Sequence, residues 1–212
     1  MRYAAITVDP PWNFRTYSAK GEGRSAKQHY PCLSMDDIAE LPVLSYAAEN
    51  CALFLWTTDP MLPQALQMLK AWGFTYKTVG FYWAKTNKDG GFFTGMGYWT
   101  RANPEQCLLA TRGAPKRIAR DVPRLIVAPR REHSRKPDEF YKRVERLVAG
   151  PYLDMFAREQ RPGWATWGDD VDHFSCATPE PPARSEDPAE QARQQQLETL
   201  TTFRCIASRR VR

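Results

Sequence analysis

The chain predicts an α/β fold organised around a parallel sheet, and three features carry that reading. Short apolar runs alternate with helix-forming segments in the first half of the chain. The first apolar run stops at an acid followed by two prolines. A strongly amphipathic segment then separates these runs from two further short apolar stretches after residue 150. Alternation of this kind, β-α-β-α-β, is the pattern of parallel strands joined by right-handed crossovers.

Taken in order, "AAITV" (4–8) suits a buried strand, and Pro10 and Pro11 lack the N–H groups needed to continue a ladder, so the strand ends at Asp9. Residues 13–33 are polar and carry Arg15, Lys20, Arg24 and Lys27 against Glu22, which reads as a long basic loop. Ser34 caps a helix with Asp36 and Asp37 in its first turn, and Pro42 interrupts it. "CALFLWT" (51–57) is a strand in which Trp56 reads as core. Residues 60–74 form a helix closed by Gly73, and 76–85 form a third strand. Residues 86–104 hold four glycines and four aromatics without periodicity, a second long loop that either packs or flanks a ligand.

"EQCLLATRG" (105–113) is a strand, and 114–135 is an irregular basic connection containing "LIVAP". Residues 136–148 place Phe140, Val144, Leu147 and Val148 on one helix face, with acids early, bases late and Pro137 in the first turn. Strands follow at 152–158 and 163–170. From about residue 175 the chain turns rich in Pro, Glu, Gln and Arg, so the division is a domain over 1–174 and a peripheral tail over 175–212.

Composition narrows the class. With 212 residues, 42% of them hydrophobic, the chain can bury one substantial core. Its five cysteines are odd in number and contain no C-x-x-C pair, so neither a disulfide framework nor a metal site is expected, and a reducing cytoplasm fits. The longest apolar runs are too short to span a bilayer, so no membrane partner is expected. The formal charge is +6 and the pI about 9.1. Residues 112–146 alone carry twelve Lys and Arg against five Asp and Glu, a local excess larger than that of the whole chain. With the basic loop 13–29, this stretch suits phosphates on both sides of a pocket, and Arg130 and Arg131 are its candidate contacts.

The chemistry centres on "DPPW" (9–12). A carboxylate at the carboxyl end of a buried strand lies where open α/β sheets place ligands. Asp9 and the Pro10 carbonyl are two rigid acceptors, with Pro11 unable to donate between them. Such a pair matches a donor with two hydrogens, such as the amino group of a nucleobase, and Trp12 offers a stacking surface. The competing reading is a plain packed turn.

These residues, with "YPCLSMDDIAELP" (30–42), "LFLWTT" (53–58), "WAKTN" (83–87), "EQCLLATRG" (105–113), "SRKPDEFYKRVERL" (134–147), "LDMFAR" (153–158) and "WATWGDD" (164–170), resemble the N6-adenine methyltransferases named after the seventy-kilodalton subunit of the eukaryotic mRNA adenosine methyltransferase. The resemblance covers residues 3–172. It implies a Rossmann-like methyltransferase fold with a mostly parallel sheet, helices on both faces and a permuted motif order, using S-adenosylmethionine. It implies catalytic roles for Asp9, Pro10, Pro11 and Trp12, and cofactor contacts from Asp9, Lys136, Asp154, Phe156, Arg158, Asp169 and Asp170. Tyr30, Lys85 and Glu105 fall at positions lining the adenine pocket or its rim. Where the eukaryotic pattern has His before the lysine and His-Asn after the arginine, this chain has Arg135, Gln160 and Arg161. The implied partner is nucleic acid, duplex DNA ahead of RNA, and a homodimer is left open. The alternatives are a catalytically silent nucleic-acid-binding member and a methyltransferase acting on amino groups of proteins or small molecules.

Overall fold

A computed structural model describes residues 1–13, 32–131 and 135–168 of the chain; the basic loop 14–31 and the expected tail lie outside them. The elements run β1 (Tyr3–Val8), α1 (Met35–Ala39), α2 (Val43–Tyr46), β2 (Ala47–Thr57), α3 (Leu62–Ala71), β3 (Thr75–Thr86), β4 (Glu105–Arg112), β5 (Leu125–Pro129), α4 (Asp138–Leu147), β6 (Tyr152–Met155) and β7 (Trp164–Trp167). The strands form one sheet in the order β5-β3-β4-β2-β1-β6-β7.

Every neighbouring pair is parallel except those made by β4, which runs against both β2 and β3. The reason lies in the connections. Helices carry the chain back between β1 and β2 and between β2 and β3, whereas residues 87–104 contain no helix. Without a crossover the chain turns and pairs antiparallel. β4 thereby separates β2 from β3, which the sequence order alone does not reveal. "LIVAP", read as part of an irregular connection, is the edge strand β5, paired with β3 from Tyr82↔Leu125 to Thr86↔Pro129. β2 begins at Ala47, earlier than the apolar run suggested, and Pro137 is the N-cap of α4 rather than its first helical residue.

Residue alternation along the strands feeds two cores. On one face Ile6, Val8, Leu53 and Leu55 meet Ala65, Met68 and Leu69 of α3 and Ile38 of α1. On the other, Ala5, Phe54, Trp56 and Phe81 meet Phe140, Tyr141 and Val144 of α4. Phe140 presents its ring edge-on to Phe54, Trp56 and Phe81 at centroid distances of 6.1, 4.9 and 5.5 Å, a geometry the aromatic quadrupole favours. Helices therefore cover both faces, as an open α/β sheet requires.

Local signals explain the helix ends. Ser34 and Asp37 form a reciprocal capping box on α1. At the end of α3, Gly73 has φ +76°, and the Gly73 and Phe74 N–H groups donate to the Lys70 and Leu69 carbonyls at 3.0 and 2.8 Å, satisfying two otherwise unpaired acceptors. Among the described residues no helix is long and apolar enough to cross a membrane.

The topology matters most at one edge. Because β4 alone is inverted, the carboxyl ends of β1, β2, β3, β5, β6 and β7 and the start of β4 share that edge. Asp9, Glu105, the loop 87–104, Arg130 and the segment after β6 all emerge there.

Candidate active site

β1 is flanked by β2 and β6, and its pairing sets Thr7 opposite Phe54 on one side and Asp154 on the other. The Asp9 N–H still donates to the Met155 carbonyl at 3.4 Å, after which the prolines end the ladder. The turn that follows is pinned twice. The Trp12 N–H donates to the Pro10 carbonyl at 2.8 Å, and the Trp12 indole Nε1–H donates to the Trp56 carbonyl at 2.9 Å.

Two expectations change here. The Pro10 carbonyl already accepts one hydrogen bond, from a donor two residues on, so one lone pair remains for a ligand. Trp12 is only 5% exposed and packs in the core. It braces the turn against β2 and presents no open stacking face.

Asp9 heads a chain of alternating charges. Lys136 Nζ lies 2.6 Å from Asp9 Oδ2 and 3.4 Å from Glu105 Oε2, and Lys85 pairs with the other Glu105 oxygen. The Lys136 ammonium also sits 5.2 Å from the Trp56 ring centroid, and that of Lys85 sits 5.1 Å from Trp83. Burial alone would raise the Glu105 carboxyl, but the ammonium groups of Lys136 and Lys85 outweigh it and hold the group down at about 2. Sequence reading brought Asp9, Lys85, Glu105 and Lys136 forward separately; the fold makes them one ionic row.

On the β6 side lies a pocket lined by Thr7 and Asp9 of β1 and its end, Trp56 of β2, Lys136 and Tyr141 at α4, and Asp154, Phe156, Arg158 and Glu159 along β6 and beyond. Asp154 is 7% exposed and accepts a hydrogen bond from the Tyr141 hydroxyl at 2.8 Å. Desolvation dominates its environment; the tyrosine bond and the more distant Arg161 and Lys136 offset it only in part, and the Asp9 charge adds to it, so the carboxyl is pushed up to about 7. Tyr141 is driven well above its ordinary value by burial and by the same carboxylate. Phe156 has φ +66° and packs edge-on against Trp167 at 5.3 Å. This left-handed conformation is costly for a bulky residue, and such strain concentrates at ligand sites.

The rim is a second ionic row. Arg131 and Arg161 both lie 2.8 Å from Asp138, Arg161 also pairs with Glu159, and Glu159 meets Arg135 at 2.5 Å. Arg161 in addition covers the Tyr141 ring at 4.0 Å. Glu159, Tyr141 and Thr7 escaped the sequence reading. Tyr141 was detectable as a polar-tipped aromatic beside the apolar stripe of α4, whereas Glu159 sits in a polar connection with no signal of its own. Arg131, expected on phosphate, is committed to this rim, while Arg130 is exposed and stacks on Phe93 at 4.3 Å. Tyr30, Asp169 and Asp170 lie outside the described residues. Among the described residues no cluster of His, Cys, Asp and Glu has metal-ligand geometry.

An acid at the end of β1, beside a pocket over the next strand, is the candidate site of this α/β fold. The MT-A70 family model matches residues 3–170, and the chain belongs to the MT-A70 family of adenine N6-methyltransferases. It is 31% identical over 185 residues to the type II methyltransferase M.MunI of a Mycoplasma species, covering 79% of this chain and 77% of that protein. It is 30% identical to the human N(6)-adenosine-methyltransferase catalytic subunit METTL3, over 86% of this chain and 30% of that one, and 32% identical to the Arabidopsis thaliana N(6)-adenosine-methyltransferase MT-A70-like protein, over 80% and 24%.

Proposed function

We propose that the protein transfers the methyl group of S-adenosylmethionine to the N6 amino group of adenine in nucleic acid, with duplex DNA the preferred substrate. The observation that carries this reading is the position of Asp9 at the end of β1, on the seam between the β6-side cavity and the cationic edge formed by β3, β4 and β5.

The cavity fits such a cofactor on a test independent of family. Thr7 Oγ1 and Trp56 Nε1 are buried with no hydrogen-bond partner, on residues only 1% and 2% exposed that both line it. Orphaned buried polar atoms favour a ligand that brings its own donors and acceptors. In this reading Asp154 accepts from the ribose hydroxyls, Lys136 attracts the carboxylate, and Phe156 and Arg158 wall the nucleoside. When bound, S-adenosylmethionine supplies an electrophilic methyl on a sulfonium, whose bonding pair stays with sulfur.

The remaining work is done by the chain. Asp9 and the Pro10 carbonyl hold the two N6 hydrogens, drawing the nitrogen lone pair out of conjugation with the ring and aiming it. As nitrogen alkylates it sheds one of those hydrogens, and the Asp9 carboxylate is the nearest base. Lys136, 2.6 Å from Asp9 Oδ2, orients that carboxylate at the strand end. No covalent enzyme intermediate is needed.

Duplex DNA is preferred on the likeness to a type II methyltransferase, 31% identical over 77% of that protein's length. Incubation with isotopically labelled S-adenosylmethionine and either DNA or RNA, followed by nucleoside analysis, tests the reading. Label in N6-methyldeoxyadenosine supports it, label confined to N6-methyladenosine moves the substrate to RNA, and label in neither removes the activity.

A further inference from the structure

We propose that the loop 87–104 is a duplex-opening finger, with Trp99 the wedge that stacks into the gap left when the target adenine leaves the helix. The proposal rests on the nucleic-acid reading above and names the residue that makes a paired base accessible.

Trp99 is fully exposed, at 106% of its reference area, and Phe92 and Tyr98 are exposed at 68% and 48%. An indole held wholly in water forgoes the largest apolar burial any side chain offers. It is also held in an unfavourable backbone state, with φ +61°. The strain is imposed by a built turn. The Gly95 N–H donates to the Ala102 carbonyl at 2.7 Å and the Ala102 N–H to the Met96 carbonyl at 3.2 Å. Gly97 passes so close to its neighbours that a Cβ there would lie 2.2 Å from the Thr100 carbonyl oxygen. A strained aromatic projected from an over-determined turn is a feature of ligand-engaging loops.

The finger is rooted in the site. The Asn103 side chain accepts from the Lys85 N–H at 2.8 Å and donates to the Lys85 carbonyl at 2.9 Å, and Lys85 begins the ionic row that ends on Asp9. Trp99 and Asn103 are four positions apart, a reach of at most about 14 Å or roughly four base-pair steps. Lys88 and Arg101 are exposed on the loop against one exposed acid, Asp89, and Arg130 stacks on Phe93. The small net positive charge of the loop, with Arg130 beside it, complements phosphates and favours nucleic acid as the occupant. Extruding a paired base costs its stacking, and an inserted indole replaces that stacking without reading sequence.

The test is single-turnover methylation by the full chain and by Trp99→Ala. Two duplexes carry one mapped target adenine, either paired with thymine or opposite an abasic site. The variant is expected to be slower by about tenfold or more on the paired duplex, the size of one lost base–aromatic stack. It should lie within about twofold of wild type on the abasic duplex, where little pairing must be broken, and Trp99→Phe should recover most of the paired rate. Equal losses on both duplexes, or no loss on either, would overturn the wedge. So would a change in sedimentation mass accompanying a uniform loss, which would make the finger a protein interface. Wild-type enzyme inactive on both duplexes would overturn the functional reading itself.

Discussion

The two flanks of Asp9 each carry a carboxyl group, partly exposed on one and buried on the other, and the two are displaced in opposite directions. On the β4 side Glu105 stands between two lysines and is held at about 2; on the β6 side Asp154 faces a tyrosine hydroxyl and is pushed up to about 7. The difference lies in the partners. An acid between two ammonium groups is a permanent charge within a structural row, whereas an acid given one neutral donor and little water keeps its proton until something better arrives. The first flank is a row of alternating charges in which each lysine is paired with an acid. The second is a pocket whose buried acid has a single neutral hydrogen-bond donor.

The largest effect that could break this contrast is a pH dependence of stability. Folded Asp154 keeps its proton up to about 7, while the unfolded chain releases it near 3.8, so between these values the folded state binds more protons. Stability therefore falls as pH rises through that window, by up to about 4 kcal/mol, and stays level above it. Asp154→Asn should remove the slope and raise the melting temperature of the ligand-free protein at pH 8. Calorimetric melts from pH 4 to 8 check this, and an unchanged slope would mean that Asp154 is ionised throughout. Glu105 has the opposite sign: its contribution is present above pH 4.5 and fades only as pH falls through about 2.

Next in size is cofactor affinity. Asp154→Ala removes the proposed ribose acceptor and should weaken S-adenosylmethionine binding by about 1–3 kcal/mol while leaving DNA affinity unchanged. In the wild type the same affinity should improve as pH rises through 7, because hydroxyl donors prefer the ionised acid. Isothermal titration at several pH values reads both effects, and weakened DNA binding in the variant would erase the separation of the flanks.

The smallest effect sharpens the other flank. Arg130 is exposed at the edge, whereas Arg131 is bound to Asp138. Arg130→Ala should lower the slope of log affinity against log salt for any duplex by roughly one unit. Arg131→Ala should change that slope little and instead loosen the cavity rim, seen as weaker cofactor binding.

These flanks were unequally legible in the sequence. Asp9 could be placed at a strand end because two consecutive prolines leave a ladder no continuation, and the capping of α1 and the stripe of α4 follow from local spacing. The identity of Lys85, Glu105 and Lys136 as single residues was readable, but their alignment into one row depends on β4 inserting antiparallel between β2 and β3, a long-range event. The rim is less visible still. Glu159 and Arg161 sit in "REQRPG", a polar connection like many others, and acquire meaning only where Arg135, Asp138 and Tyr141 are packed against them. Trp12 shows the reverse error: an aromatic beside a catalytic acid reads as a stacking surface, yet its indole N–H is used to fasten the turn to the end of β2.

The central claim is that Asp9 works on the seam, holding the amino group that accepts the methyl, and contributes to the transfer step more than to the affinity of either ligand. The most direct test is Asp9→Ala, with S-adenosylmethionine binding, duplex binding and single-turnover methyl transfer all measured on the same folded preparation. The predicted result is a transfer rate lower by at least about 100-fold, comparable with losing one preorganised transition-state contact, with both affinities within a few-fold of wild type and with Asp9→Asn intermediate. Transfer at near wild-type rate by the alanine variant would contradict the account and leave "DPPW" as a turn that merely ends a strand.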